Sequence, residues 1–189
     1  MNIFILDENP KEAARLQCDK HIVKMILESA QMLSTAHRML DGVQEYRKSV
    51  SGKRMVKYYA HPSNISEENL YKAVHFDHPC TQWTMETEEN YLWHYEHFVA
   101  LGQEYTYRYG RHHKSIKLKS ILFRAPMNIV RGFGLTPFRL AMNEYPECVK
   151  ESAVDSYRAF YQTKQSRFKM KWTKRDIPGW FESNVEIME

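Results

Sequence analysis

Apolar residues recur at helical rather than alternating spacing along most of this chain, and Gly, Pro and cap-forming residues punctuate the pattern. Residues 2–6 form a short apolar run that reads as a strand or an extended lead-in. Asn9-Pro10 then sets a capping residue before a proline suited to the first helical turn. From Lys11 to about Leu40 no Gly or Pro intervenes and good helix formers dominate, which predicts one long helix stopped by Asp41-Gly42. Residues 43–64 read as a basic, Gly- and Ser-containing connection that closes with His61-Pro62-Ser63-Asn64. Ser66 is expected to cap a short helix to about Val74, which the segment His75 to Pro79 breaks. A helix from about Thr81 to Tyr109 then carries Tyr91, Leu92, Tyr95, Phe98, Val99 and Leu101, and Gly110 ends it. A basic helix near Ser115–Arg124, an irregular stretch marked by Pro126, Gly132, Gly134 and Pro137, and a last helix over roughly Cys148–Thr163 complete the pattern. Strand-like alternation is almost absent, so the expected fold is mainly α, a single compact helical domain with residues 2–6 as its one strand candidate.

The 189 residues, 43% of them hydrophobic, suffice for one ordinary globular domain without disulfides or a structural metal. Cys18, Cys80 and Cys148 lie far apart with no C-x-x-C pair, and read as buried thiols in a reducing compartment. No apolar run reaches the roughly 18 residues that span a bilayer, and residues 1–6 meet Asp7 and Glu8 without a basic lead or a cleavage site. The expectation is a soluble, intracellular protein with no membrane partner.

Charge changes the picture because it is uneven. The formal net charge is +4, yet residues 111–175 hold fifteen Lys/Arg against four Asp/Glu. A basic, aromatic-rich C-terminal segment over about 150–181 includes Arg158, Phe160, Tyr161, Lys164, Arg167, Phe168, Lys171, Trp172, Lys174, Arg175 and Trp180. Cations that neutralise phosphates beside rings that stack on unpaired bases suit a nucleic acid with an exposed base. The same composition also describes a solvated basic face beside an aromatic core edge.

Gln17, His21, Lys24, Glu28, Gln31 and Thr35 follow one another at steps of three and four on an otherwise apolar helix, which puts them in one line. His, Lys and Glu on such a helix are costly to bury without partners, so the line is expected to border a cleft. There His21 is a candidate general acid or base, and Lys24 a candidate neutral amine or phosphate holder. The alternative is a thin solvent face with an ordinary Lys24–Glu28 pair. His75-Phe76-Asp77-His78-Pro79-Cys80 offers four metal-ligating side chains, but no zinc motif accompanies it, and His94 and His97 read as packing histidines. No metal or other cofactor is assigned. The chain has no Gly-rich phosphate loop, G-x-S-x-G elbow or protease-like Cys motif.

The run from Cys18-Asp19-Lys20-His21-Ile22-Val23-Lys24 through Glu28, Gln31 and His37 resembles the start of a family of small, mostly phage-encoded proteins. So do His78-Pro79-x-x-x-Trp83, Asn90-Tyr91-x-Trp93, Glu104-Tyr105-x-x-Arg108-Tyr109-Gly110, Thr136-Pro137-Phe138, Tyr157-Arg158-x-Phe160-Tyr161, and Trp172-Thr173-Lys174-Arg175-Asp176-Ile177-Pro178-x-Trp180-Phe181, which together cover almost the whole chain. The likeness is to the α-glutamyl/putrescinyl thymine pyrophosphorylases, or amino-acid:DNA transferases. It implies action in an infected cell's cytoplasm on phage DNA in which a thymine methyl carbon carries a pyrophosphate that an amine or amino acid displaces. On this resemblance Asp19, His21, Lys24, Glu28 and His78 are the catalytic candidates. Lys20, Gln31, Trp83, Asn90, Arg108, Trp172, Lys174 and Arg175 are the substrate contacts, with Trp83 stacking on an extruded pyrimidine. Glycosylase-like base excision and non-enzymatic nucleic-acid binding are the competing readings.

Overall fold

A computed structural model describes residues 1–183. It is mainly α, with α1 (Pro10–Arg15), α2 (Asp19–Asp41), β1 (Val43–Lys48), β2 (Met55–Ala60), α3 (Asn64–Asn69), α4 (Pro79–Glu86), α5 (Glu88–Tyr109), α6 (Lys119–Leu122) and α7 (Ala153–Gln162). Short 3₁₀ turns cover Lys114–Leu118, Pro146–Cys148 and Thr163–Ser166. No described helix is long and apolar enough to cross a membrane.

The expected long first helix is two. Asn9 caps α1 through its side chain and Pro10 opens it, as the pattern predicts. The break at residues 16–18 contains no Gly or Pro and is imposed from elsewhere. Arg108 donates to the carbonyls of Arg15 and Gln17, and the Trp172 indole donates to that of Leu16, so tertiary donors take the groups that a continuing helix would use. Cys18 then serves as the N-cap of α2 without a side-chain cap bond. Along α2 nearly every position is buried, and Lys20, Val23, Lys24 and Leu27 make its exposed strip.

Residues 2–6 are not a strand. Ile3, Phe4, Ile5 and Leu6 are core residues, but their backbone bonds go to side chains and a tight turn rather than a ladder. Asn2 N–H donates to Glu28, Phe4 N–H to the Asn2 side chain, and Leu6 N–H to the Phe4 carbonyl. The stretch 43–64 contains an antiparallel hairpin, with Val43 paired to Ala60 and Lys48 to Met55. Its side chains are largely exposed, so no alternation marked it. Its anchor is Arg38, which donates to the carbonyls of Tyr59, Tyr71, Glu67 and Leu70 and pairs with the Glu67 carboxylate at 2.6 Å. Burial pushes the Glu67 carboxyl upward, but donors from His61 N–H, Arg38 and Tyr58 outweigh it and hold the group at about 2.

Ser63, not Ser66, caps α3, which ends at Asn69. The expected Thr81–Tyr109 helix divides at Thr87, whose hydroxyl caps α5 by accepting from Asn90 N–H. Gly110 closes α5 at φ 67, a left-handed position that favours glycine. The basic helix near 115–124 is a 3₁₀ turn followed by α6. The last helix begins at Ala153 rather than Cys148, capped by Ser152. Helix α5 packs against α1, α2 and α4, and the three cysteines are buried and free.

The Arg108 guanidinium is fully buried, pairs with Asp19 at 3.0 Å and Glu104 at 3.2 Å, and caps two carbonyls. Arg108→Met should cost about 3–5 kcal/mol, because two carboxylates and two carbonyls lose a buried partner together. Urea unfolding of wild type and variant measures this, and a loss under about 1 kcal/mol would contradict it.

Candidate functional site

The first turn of α2 is held by the Tyr161 hydroxyl from α7. Cys18 N–H donates to it at 2.9 Å, and His21 Nδ1 lies 2.7 Å from the same oxygen. When the hydroxyl donates to Nδ1, His21 carries its hydrogen on Nε2, which has no bonding partner among the described residues. The imidazole stacks on Phe4 at 4.6 Å between centroids and meets Phe168 edge-on at 5.4 Å. Phe4 adopts φ 57, a left-handed conformation that costs a non-glycine residue roughly 1 kcal/mol and that the surrounding packing must hold. Burial, and then the charges of Lys164, Lys24 and Lys20, push His21 down to about 3. His21 is therefore a neutral hydrogen-bond donor at physiological pH rather than a proton store.

Cations converge on this ring. Lys20 Nζ lies 4.4 Å over Phe168. Lys24 is largely exposed and pairs with Glu28 at 3.2 Å, an interaction worth only a few tenths of a kcal/mol. Lys164, on the turn after α7, is 7% exposed, and its ammonium lies 3.4 Å over Phe160 and 5.0 Å from the Tyr145 ring. It makes no hydrogen bond or ion pair among the described residues. Burial, with Arg167 adjacent, lowers Lys164 to about 8. Sequence reasoning placed Lys164 in the basic tail but did not connect it with His21; the signal was its step of three from Tyr161, which shares its helical face.

Further along α2, Glu28 is buried and accepts Asn2 N–H at 3.0 Å. His78 caps α4 by accepting Cys80 N–H at 3.2 Å, and partial burial keeps it below its ordinary value against the pull of Glu28. His21, Lys24, Glu28 and His78 thus belong to one neighbourhood. The line of polar residues is not a uniform cleft wall, since Gln17 and Thr35 are fully buried and bonded to backbone carbonyls. Gln31 is half-buried.

Other expected contacts are structural. Trp83 is 1% exposed and packs among Trp93 and Phe138, so in this conformation it offers no face to a base. Asn90 donates to the Trp83 carbonyl and Thr136, and accepts Thr136 N–H. Asp19 accepts from Arg108 and from Thr173 N–H and hydroxyl, tying the C-terminal segment to α2. Trp172 is buried, Arg175 is paired with Glu104, and Lys174 is exposed with its ammonium donating to the Tyr107 carbonyl. Of the expected C-terminal contacts only Lys174 presents an open side chain. His94 and His97 are fully buried packing residues.

His75 and Asp77 are exposed and form no cluster. The structure instead brings His37, Asp41 and His61 within 4.8 Å of one another. Asp41 accepts from Met127 N–H and Asn128, and His61 Nδ1 accepts Ser63 N–H, while His61 Nε2 is buried without a hydrogen-bond partner. A cleft of about 690 Å³ on the hairpin, bordered by Arg47, Arg54, Tyr58 and Lys72, contains none of the expected site residues. No family model, curated protein or solved structure matches the chain.

Burial holds His21 at about 3, and His37 and His97 at about 4, all below the ordinary 6.5. Lowered values mean that the unfolded chain binds protons the folded one refuses, so stability is full above pH 6.5 and drains as pH falls toward 4. Each histidine should contribute a loss of about 2 kcal/mol between pH 6.5 and 5. Denaturant unfolding at pH 7.5 and 5.0 should show a drop of several kcal/mol, and equal stability at both would refute the neutral burial.

Proposed function

We propose that this protein is a DNA base-modification enzyme that acts on an extruded pyrimidine, built as one compact helical domain and working in the cytoplasm of a phage-infected cell. The observation that carries the reading is the convergence of Lys20, Lys24 and Lys164 on a neutral His21 beside aromatic faces, with the exposed Arg167 next to Lys164. A cationic rim neutralises phosphate, and a neutral imidazole donating from Nε2 stabilises a developing oxyanion without first losing a proton.

In the transfer form of the reaction, an amine or amino acid attacks an activated thymine methyl carbon. The carbon–oxygen bond to pyrophosphate breaks as the carbon–nitrogen bond forms. Lys20 and Lys24 neutralise the departing pyrophosphate, His21 donates to one of its oxygens, and Glu28 takes the proton that the amine loses. Extruding the base costs a few kcal/mol, offset by stacking and phosphate contacts. Phe168, half-exposed beside Lys20, replaces buried Trp83 as the stacking candidate. A second reading, excision of the base, is favoured by Lys164: a desolvated amine beside other cations has the properties of a carbonyl-reactive nucleophile.

Fluorescence anisotropy with labelled single-stranded and duplex DNA across a salt series tests the DNA assignment. Replacing Lys20, Lys24 and Arg167 together by Gln should flatten the single-strand salt slope by about 2, since each lost phosphate contact removes roughly 0.7. His21→Ala should bind with nearly unchanged affinity but form no modified nucleoside. Absence of binding at low salt would overturn the DNA reading.

A further inference from the structure

Lys164 has no role in the transfer reaction, yet it is the least conventional cation in the molecule. It is 93% removed from solvent and has no carboxylate, hydroxyl or carbonyl partner among the described residues, and its ammonium rests on the Phe160 face. A purely structural lysine gains little from that position, because burial without a counter-ion is costly and one ring face returns only about 1–2 kcal/mol. Arg167 and, more weakly, Lys24 disfavour its protonated form, while Cys148 and the Glu144 carboxylate pull the other way without overcoming burial. Desolvation and neighbouring cations are the two devices that turn a lysine into a nucleophile. The neighbouring His21, in the tautomer that accepts from Tyr161, supplies an unpartnered Nε2–H for a carbonyl oxygen, and the exposed Lys24 and Arg167 supply phosphate contacts.

We infer that Lys164 is a Schiff-base nucleophile for an aldehyde carried next to a phosphate, as in the ring-opened sugar of an abasic nucleotide. The inference rests on the excision form of the reading above. The neutral amine adds to the aldehyde carbon, forming a carbon–nitrogen bond while the carbonyl π pair moves to oxygen. That oxygen takes a proton and the nitrogen loses one, giving a carbinolamine. A proton taken up from solvent then lets the hydroxyl leave as water, which gives a protonated imine. Amine and aldehyde are consumed and one water is released, with no oxidant or reductant required.

The test is reductive trapping with sodium cyanoborohydride at pH 7.5, using the full chain and two probes, 2-deoxyribose 5-phosphate and a single-stranded oligonucleotide with one abasic site. Peptide mass spectrometry locates the adduct. A lysine held at about 8 carries on the order of a hundredfold more neutral amine at that pH than one at 10.5. Lys164 should therefore be trapped at least about tenfold faster than any other lysine, with the rate rising through pH 8. Lys164→Arg keeps the charge and the ring contact, so the folded variant should keep the wild-type thermal midpoint while losing the adduct. Trapping by both probes supports the inference and the DNA source. Trapping by the sugar phosphate alone retains the nucleophile and overturns the DNA source. Lysines labelled only in order of their exposure, or an undiminished adduct in a folded Lys164→Arg, would overturn the inference whether or not the protein binds DNA.

Discussion

Everything about the candidate site depends on where α2 begins, and a single buried guanidinium determines that. Arg108 projects from α5 into the gap between α1 and α2, where it binds the carbonyls of Arg15 and Gln17 and the carboxylates of Asp19 and Glu104. Asp19 in turn grips Thr173, and Glu104 grips Arg175, so the C-terminal segment is fastened through the same charge. A charge buried this deeply is tolerated only because every face has a partner. The consequence is geometric: chain segments about 140 residues apart in sequence present His21, Tyr161 and Lys164 to one another.

The site itself balances two demands. Stability favours removing charge from the interior, and His21 answers by staying neutral, hydrogen-bonded to Tyr161. Lys164 meets the same demand less completely. Its ring contacts replace part of the lost hydration, and the remainder appears as an amine that gives up its proton readily. Phe4 shows the balance in the backbone, where a left-handed aromatic residue is held against His21 by packing on both sides. Strain and unpaired charge concentrated together are features of functional sites.

Much of the helical pattern was legible because periodicity and caps act locally. Asn9-Pro10, Asp41-Gly42 and Gly110 do what their chemistry dictates, and His21, Lys24 and Glu28 lie along one helix with Lys24 paired to Glu28. The break at residues 16–18 was invisible because its cause, Arg108 and Trp172, lies about ninety and more than 150 residues downstream. The hairpin was invisible because its largely exposed faces carry no burial alternation. Trp83, Asn90 and Trp172 looked like ligand contacts because aromatic and amide side chains suit bases, but the same groups also satisfy buried backbone, and only tertiary structure separates the two uses. By contrast Thr87, followed by Glu88 and Glu89, was a readable start signal for α5.

The most direct test of the central claim, that the neighbourhood of His21 and Lys24 performs base chemistry on DNA, is nucleoside mass spectrometry. DNA from cells expressing the protein would be digested and compared with DNA from the same cells expressing His21→Ala. The account predicts a nucleoside or an abasic product that depends on the protein and disappears in the folded variant. Identical nucleoside and abasic-site content in the two samples would contradict it.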